Sequence, residues 1–323
     1  MPGTVEVVTT AARALKLSKV YGSGETAVSA LAEVDLNIEA GKFTAIMGPS
    51  GSGKSTLMHL LAALDTPTAG DVYIGETNIA DLNDRDLTVL RRERIGFIFQ
   101  AFNLISTLNA AENIQLPVNI ARRKVDKDWF AKVVSALDLS QRLSHKPAEL
   151  SGGQQQRVAC ARAMMNRPEI IFADEPTGNL DSTSAHEVLK FLRQSVDELE
   201  QTIVMVTHDP VAASVADHAV FLSDGSIIAQ TDHTDHDSLL ELMRKLYARP
   251  AATTTAPKPA AAAATGTSAA KHEASSTAKG TSREAEFIPE DPFAPRPRRG
   301  SLPLDDFDQD YPANSQFSTS REQ

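Results

Sequence analysis

The sequence predicts an α/β fold: a mainly parallel sheet carrying helices, with an antiparallel β addition and a helical subdomain. Three observations point there. Short apolar runs at Phe43 to Met47, Ile170 to Ala173, Thr202 to Val206 and Ala219 to Leu222 have the length and continuity of strands buried on both faces. Helical stretches alternate with these runs, which is the pattern of parallel strands joined by crossovers. A glycine-rich turn, Gly48-Pro-Ser-Gly-Ser-Gly-Lys-Ser-Thr56, leads from the first run straight into an apolar helical stretch starting at Leu57.

Taken in order, Ala14 to Val20 and Glu33 to Ile38 read as paired strands around a Gly-Ser-Gly turn at 22–24. The strand at 43–47, the turn and its helix follow, then strands at Val72–Ile74 and Arg94–Phe99. Residues 110–146 read as mainly helical: Trp129, Phe130, Val133, Val134 and Leu137 fall on one face of a helix. A strand at Ile170–Ala173, a helix at Thr183–Leu199 and strands at 202–206 and 219–222 complete the pattern. Composition changes near Arg249, and nine of the chain's 17 prolines lie beyond it. Residues 1–249 therefore read as the folded domain, with a helical subdomain at about 101–165, and 250–323 as a disordered low-complexity tail.

The chain has 323 residues, 41% hydrophobic and 23% charged, the balance of a soluble globular protein. A net charge of −10 argues against nucleic acid as a partner. The single cysteine, Cys160, rules out an internal disulfide. No apolar run reaches the ~18 residues of a membrane span, and the first residues lack a secretory pattern. Work at a membrane would thus go through a partner. The stretch Asp232-His-Thr-Asp-His-Asp237 reads as a polar loop after the last strand, and His59, His145, His186 and His218 match no site motif.

The turn at 48–56 carries chemistry. Glycines 48, 51 and 53 let successive backbone N–H groups point into one concavity, and the helix beyond aims its positive end at the same place. Lys54 supplies a cation for β- and γ-phosphates, and Ser55 a hydroxyl for magnesium. This implies a bound nucleoside triphosphate. Asp174 ends an apolar strand at the edge where such sheets bind ligands and is placed to hold a magnesium shell. Glu175, next in line, is placed to polarise a water for in-line attack. Leu150-Ser-Gly-Gly-Gln-Gln-Gln-Arg157 opens a helix read as Val158 to Met165, and Ser151 with two glycines makes a second anion site. One phosphate loop needs one such helix, so the second points to another subunit's nucleotide.

Leu150 to Gln154 resembles the signature motif of ATP-binding cassette (ABC) ATPases, and it follows Lys54 by about a hundred residues, as in that family. The resemblance extends over 13–232. It implies that Tyr21 stacks on adenine, that Gln100 touches magnesium and senses a membrane partner, and that Asp181 of Gly178-Asn-Leu-Asp181 crosses a dimer interface. It also implies that His208, in Thr207-His-Asp209, contacts the γ-phosphate. ATP held at 48–56 of one subunit would be capped by Ser151, Gly152, Gly153 and Gln154 of a second copy, with ATP and Mg²⁺ as the implied ligands. The segments 99–113 and 175–182 are similar to the branch serving lipoprotein release, macrolide export and antimicrobial-peptide resistance. That implies an ATPase docked on a separate permease at the cytoplasmic face of the membrane. The alternatives are a cell-division ATPase driving septal wall hydrolysis and a soluble non-transport member. Of Phe102, Leu104 and Ile105, each is read either as core or as a contact for the permease.

Overall fold

In the computed structural model, residues 9–247 are described. The domain boundary expected at Arg249 and the tail expected over 250–323 lie outside them. Two sheets organise the described chain. Strands β1 (Thr10–Tyr21), β2 (Val28–Glu39), β4 (Ala69–Ile74) and β5 (Thr77–Asn78) form an antiparallel sheet in the order β2-β1-β4-β5. Strands β3 (Phe43–Met47), β6 (Ile95–Ile98), β7 (Ile170–Asp174), β8 (Thr202–Thr207), β9 (His218–Ser223) and β10 (Ser226–Thr231) form a second sheet, ordered β10-β9-β3-β8-β7-β6. It is parallel except at β10, which turns back along β9. The expected antiparallel addition is thus mostly a sheet of its own.

The central strands alternate between two buried clusters with the period of two that a strand imposes. Phe43, Ala45, Met47, Ile171, Ala173, Ile203, Met205, Ala219 and Phe221 face one cluster. Ile46, Ile170, Phe172, Val204, Val206, Val220 and Leu222 face the other. On the first side lie helices α3 (Ala110–Ile120), α4 (Lys127–Ala136), α5 (Gly152–Met164) and α6 (Ser182–Leu199), with short α7 (Pro210–Ala213) and α8 (His236–Tyr247). On the second lie α1 (Lys54–Leu61) and the antiparallel sheet, so α1 is packed between two sheets. The helices of 101–165 share the first cluster with the central strands instead of having a core of their own.

Local signals explain the boundaries. Asn109, Asp126, Ser151 and Asp181 cap α3, α4, α5 and α6 by accepting backbone N–H bonds, each worth roughly 1 kcal/mol. The structure corrects several sequence expectations. Helix α5 starts at Gly152, not Val158, because the Ser151–Gln154 capping box begins the helix at the motif itself. Helix α2 (Asp84–Arg94) went unforeseen because Leu90 is its only buried residue. The stretch after β10 is a loop only as far as residue 235; α8 then seats Leu239, Leu242, Met243 and Leu246 on the first cluster. Among the described residues no group of three or more His, Cys, Asp or Glu side chains is arranged to hold a metal ion.

Phe172 tests the central packing. It is fully buried on β7, with its ring 6.3 Å from that of Phe97. Phe172→Ala is expected to cost about 3–5 kcal/mol of stability, read as a lowered denaturation midpoint.

Candidate active site

The parallel register brings three strand ends to one edge. Met47 pairs with Thr207 and Asp174 with Val206, so the residues that follow, Gly48, Glu175 and His208, emerge together. This is the edge at which open parallel sheets bind ligands.

The loop from Gly48 to Thr56 is shaped by close approaches. A Cβ at Gly48 would lie 2.4 Å from the Leu222 carbonyl oxygen, and one at Gly53, whose φ is +101°, 2.5 Å from that of Ala30. Only glycine fits either place. The Ser52 carbonyl accepts from Gly225 N at 3.0 Å, tying the loop to the β9–β10 turn, while the Ser52 hydroxyl is buried without a partner among the described residues. Pro49, Ser50 and Gly51 are exposed, as a ligand-accepting rim must be. Lys54 is 7% exposed, and its Nζ donates to Pro49 O at 2.8 Å. Burial pushes its ammonium below the ordinary lysine value, while Glu175 and Asp174 pull it back up.

The acidic side of the site is close by. Ser55 Oγ lies 3.5 Å from Asp174 Oδ1. Burial raises the Asp174 carboxyl above its usual range; His59 lowers it and the Glu175 charge raises it further. Glu175 sits at φ +41°, a left-handed conformation costing roughly 1–3 kcal/mol and met most often at functional sites. Its N–H donates to Val206 O at 2.9 Å, its carbonyl accepts from Gly178 N at 3.0 Å, and its Oε1 lies 3.0 Å from His208 Nδ1. A carboxylate and an imidazole at that distance can hold a proton between them and hand it on. They open on a cavity of about 410 Å³ lined also by Thr177, Gly178, Thr207, Asp209 and Pro210.

A larger cavity, about 900 Å³, contains none of the motif residues. It lies at the starts of β3 and β9, the opposite ends of the strands, and several of its charges are already paired. Asp217 is bonded to Phe43 N and Arg193, and His218 to Asp232. Volume does not locate the chemistry in this fold.

The other motif residues divide. Tyr21 ends β1 and is 43% exposed; its hydroxyl donates to Asp65 at 2.8 Å, and Lys19 Nζ lies 4.8 Å from the ring centroid. Gln100 follows β6 and turns toward Asn179: its Nε2 is 3.5 Å from Asn179 Oδ1, while Asn179 Nδ2 donates to Gln100 O at 3.0 Å. No hydrogen bond among the described residues joins it to the phosphate loop. Asp181 spends its carboxylate within the chain, accepting from Thr183 N, Ser184 N and the Ser184 hydroxyl. Ser151 and Gln154 cap each other, Gly152 approaches Leu180 and Phe102, and Gly153 abuts Ser184. The motif at 151–154 is therefore packed on the segment 179–184 and is not hydrogen-bonded to the loop at 48–56.

Sequence reasoning missed Asn179, Gln156 and Arg162. Gln156 Nε2 donates to Pro176 O at 2.7 Å. The Arg162 guanidinium holds the carbonyls of Phe102 and Asn103, two consecutive residues at φ +60° and +50°. Of the three apolar residues after Gln100, Leu104 packs on the core, Ile105 is 42% exposed, and the Phe102 ring faces Gly152.

Known proteins similar to this chain are ATP-binding cassettes. A family model described as ABC transporter matches residues 31–178. An ABC transporter ATP-binding protein of Methanocaldococcus jannaschii is 48% identical over 214 residues, covering 65% of this chain and 94% of the relative. The macrolide export ATP-binding/permease protein MacB of Bdellovibrio bacteriovorus is 44% identical over 240 residues, 74% of this chain but 35% of that longer protein. Among solved structures, a dimeric post-hydrolysis state of an ATP-binding cassette bound to ADP and Pi matches with a TM-score of 0.64 and 41% identity, over 69% of this chain and 98% of that one. At such identity over nearly a whole relative, the chain belongs to the ABC transporter family, as an ATP-binding cassette that hydrolyses ATP.

Proposed function

We propose that two copies of this chain pair head to tail around ATP, and that pairing and hydrolysis drive a permease made as a separate chain, from the cytoplasmic face of the membrane. The observation that carries this reading is the Glu175–His208 pair at 3.0 Å, set beside Lys54 and Asp174 at one sheet edge. The dimeric cassette holding ADP and Pi supports the pairing. The MacB name joins ATPase and permease in one protein and supports a transport role. Among the described residues no helix is long and apolar enough to cross a membrane.

In this reading the residues divide the work as follows. Backbone N–H groups of Gly48 to Thr56 wrap the phosphates, Lys54 neutralises them, and Tyr21 offers its ring to the base. Ser151, Gly152, Gly153 and Gln154 of the partner subunit close the site, with Asp181 at the boundary between the copies. Glu175 takes the proton of the attacking water, and His208 steadies both Glu175 and the γ-phosphate. Ser55 and Asp174 fit a magnesium ion: two oxygen ligands lie 3.5 Å apart, and burial disfavours the carboxylate's charge until a cation offsets it. The ion would supply charge neutralisation at the phosphates. Gln100 joins that set only by turning from Asn179, which makes it the residue of the site whose place depends on the loop after it.

Glu175→Gln is expected to bind ATP and form a stable dimer while hydrolysis falls at least ~100-fold. Light scattering with ATP and phosphate release check both, and near-normal turnover defeats the assignment. Because Phe102 faces Gly152, Ile105 is the better test of docking. Ile105→Asp is expected to leave ATP binding unchanged and to abolish recovery of the permease from membranes with this chain. Recovery of ribosomes or DNA in place of a membrane protein overturns the transport reading.

A further inference from the structure

One buried side chain joins the helix that would cap the partner's nucleotide to the turn that carries Glu175. Gln156 is fully buried on α5, one turn beyond Gly152 and Gly153. Its Nε2 donates to Pro176 O at 2.7 Å, and Pro176 follows Glu175 directly. The backbone bonds at Glu175 N and Glu175 O come from β8 and from within the turn itself. The Gln156 bond is a side-chain tie from another element, fixed to the peptide just beyond the residue at φ +41°.

Gln156 fits poorly as simple packing. Its Oε1 is buried with no partner among the described residues, so half of the amide's capacity is unmet in the interior, an arrangement that proteins avoid. An apolar residue of like volume would remove that unmet oxygen but leave the buried Pro176 carbonyl without a donor, so what the amide contributes here is its bond to Pro176. At the same place α5 meets the following segment without slack, because a Cβ at Gly153 would come within 2.6 Å of the Ser184 Cβ.

We propose that Gln156 is a positioning residue that makes Glu175 answer to α5. Its bond to the Pro176 carbonyl links the half-site this chain lends to its partner's ATP with the half-site where it hydrolyses its own. The proposal rests on head-to-tail pairing. Within the chain, contact at Ser151–Gly153 moves a rigid helix, Gln156 moves with it, and Pro176 carries the displacement to the neighbouring carboxylate. The two sites of a dimer then act together, because each chain reports one nucleotide to the other.

The test uses the full chain carrying Q156L, which removes the donor and the unpaired oxygen together and leaves the Pro176 carbonyl without its donor; a denaturation midpoint checks that the variant folds. ATP affinity is expected to stay within ~2-fold of the parent, kcat to fall ~10-fold, and the Hill coefficient of hydrolysis to drop from near 2 to near 1. A parental Hill coefficient in Q156L, with or without a loss of kcat, overturns the proposal and leaves packing as the role. Q156E is a second variant: where its buried carboxyl is protonated it can donate to Pro176 O, so its hydrolysis and Hill coefficient recover as pH falls, and those of Q156L do not. Q156E equal to Q156L at every pH also overturns it. The pairing itself is read separately. If E175Q alone fails to dimerise with ATP, the head-to-tail reading falls; if E175Q dimerises with or without Q156L, the link through Gln156 is judged on cooperativity alone.

Discussion

The site depends on the register of three parallel strands. Every residue of β3 and β8 is buried, as is β7 up to Ala173, and burial on both faces leaves no freedom to slip. Moving β7 by one residue would exchange Phe172 and Ala173 between the two clusters. It would also carry Asp174 away from Ser55 and Glu175 away from His208. The geometry of the candidate site is thus secured by side chains buried in the two clusters. What the loops add is local: the left-handed Glu175, tied by its N–H to Val206 of β8, and glycines where a Cβ would strike a carbonyl.

Much of this was legible in the sequence, for reasons particular to each part. The central strands are unbroken apolar runs, and the phosphate loop has glycines at positions where a Cβ would strike a carbonyl, so composition and motif speak together. The caps of α5 and α6 were written in Ser151 and Asp181, although the sequence reading gave those residues other duties. Helix α2 and strand β10 were not legible, since neither has the apolar stripe that marks an element. Helix α8 has apolar residues recurring every three or four positions, but its His-Asp opening has the polar composition of a loop, and the sequence reading stopped there. Gln156 had a faint signal. It shares the buried face of α5 with Gly153, Cys160 and Ala163, where a polar residue is out of place.

The geometry also changes how the motifs relate. Read along the chain, Gln100, Ser151–Gln154 and Gly178–Asp181 are three separate features. In space, 176–184 touches all the others: Asn179 holds Gln100, Leu180 faces Gly152, Ser184 faces Gly153, and Pro176 holds Gln156. Arg162 extends the same group by fixing the carbonyls of Phe102 and Asn103. The loop after Gln100 and the turn that carries Glu175 are thus joined by one packed group of side chains.

The clamp on the phosphate loop bears on how the protein is made. The shape of residues 48–53 is set by the Leu222 carbonyl and by the Gly225 N–H bonded to Ser52, both far along the chain from the loop they hold. A chain leaving the ribosome N-terminus first exposes the glycine-rich segment long before those partners exist. The loop therefore takes its final form only once those partners have been synthesised. A nascent cassette thus completes this loop only when the β9–β10 turn has emerged.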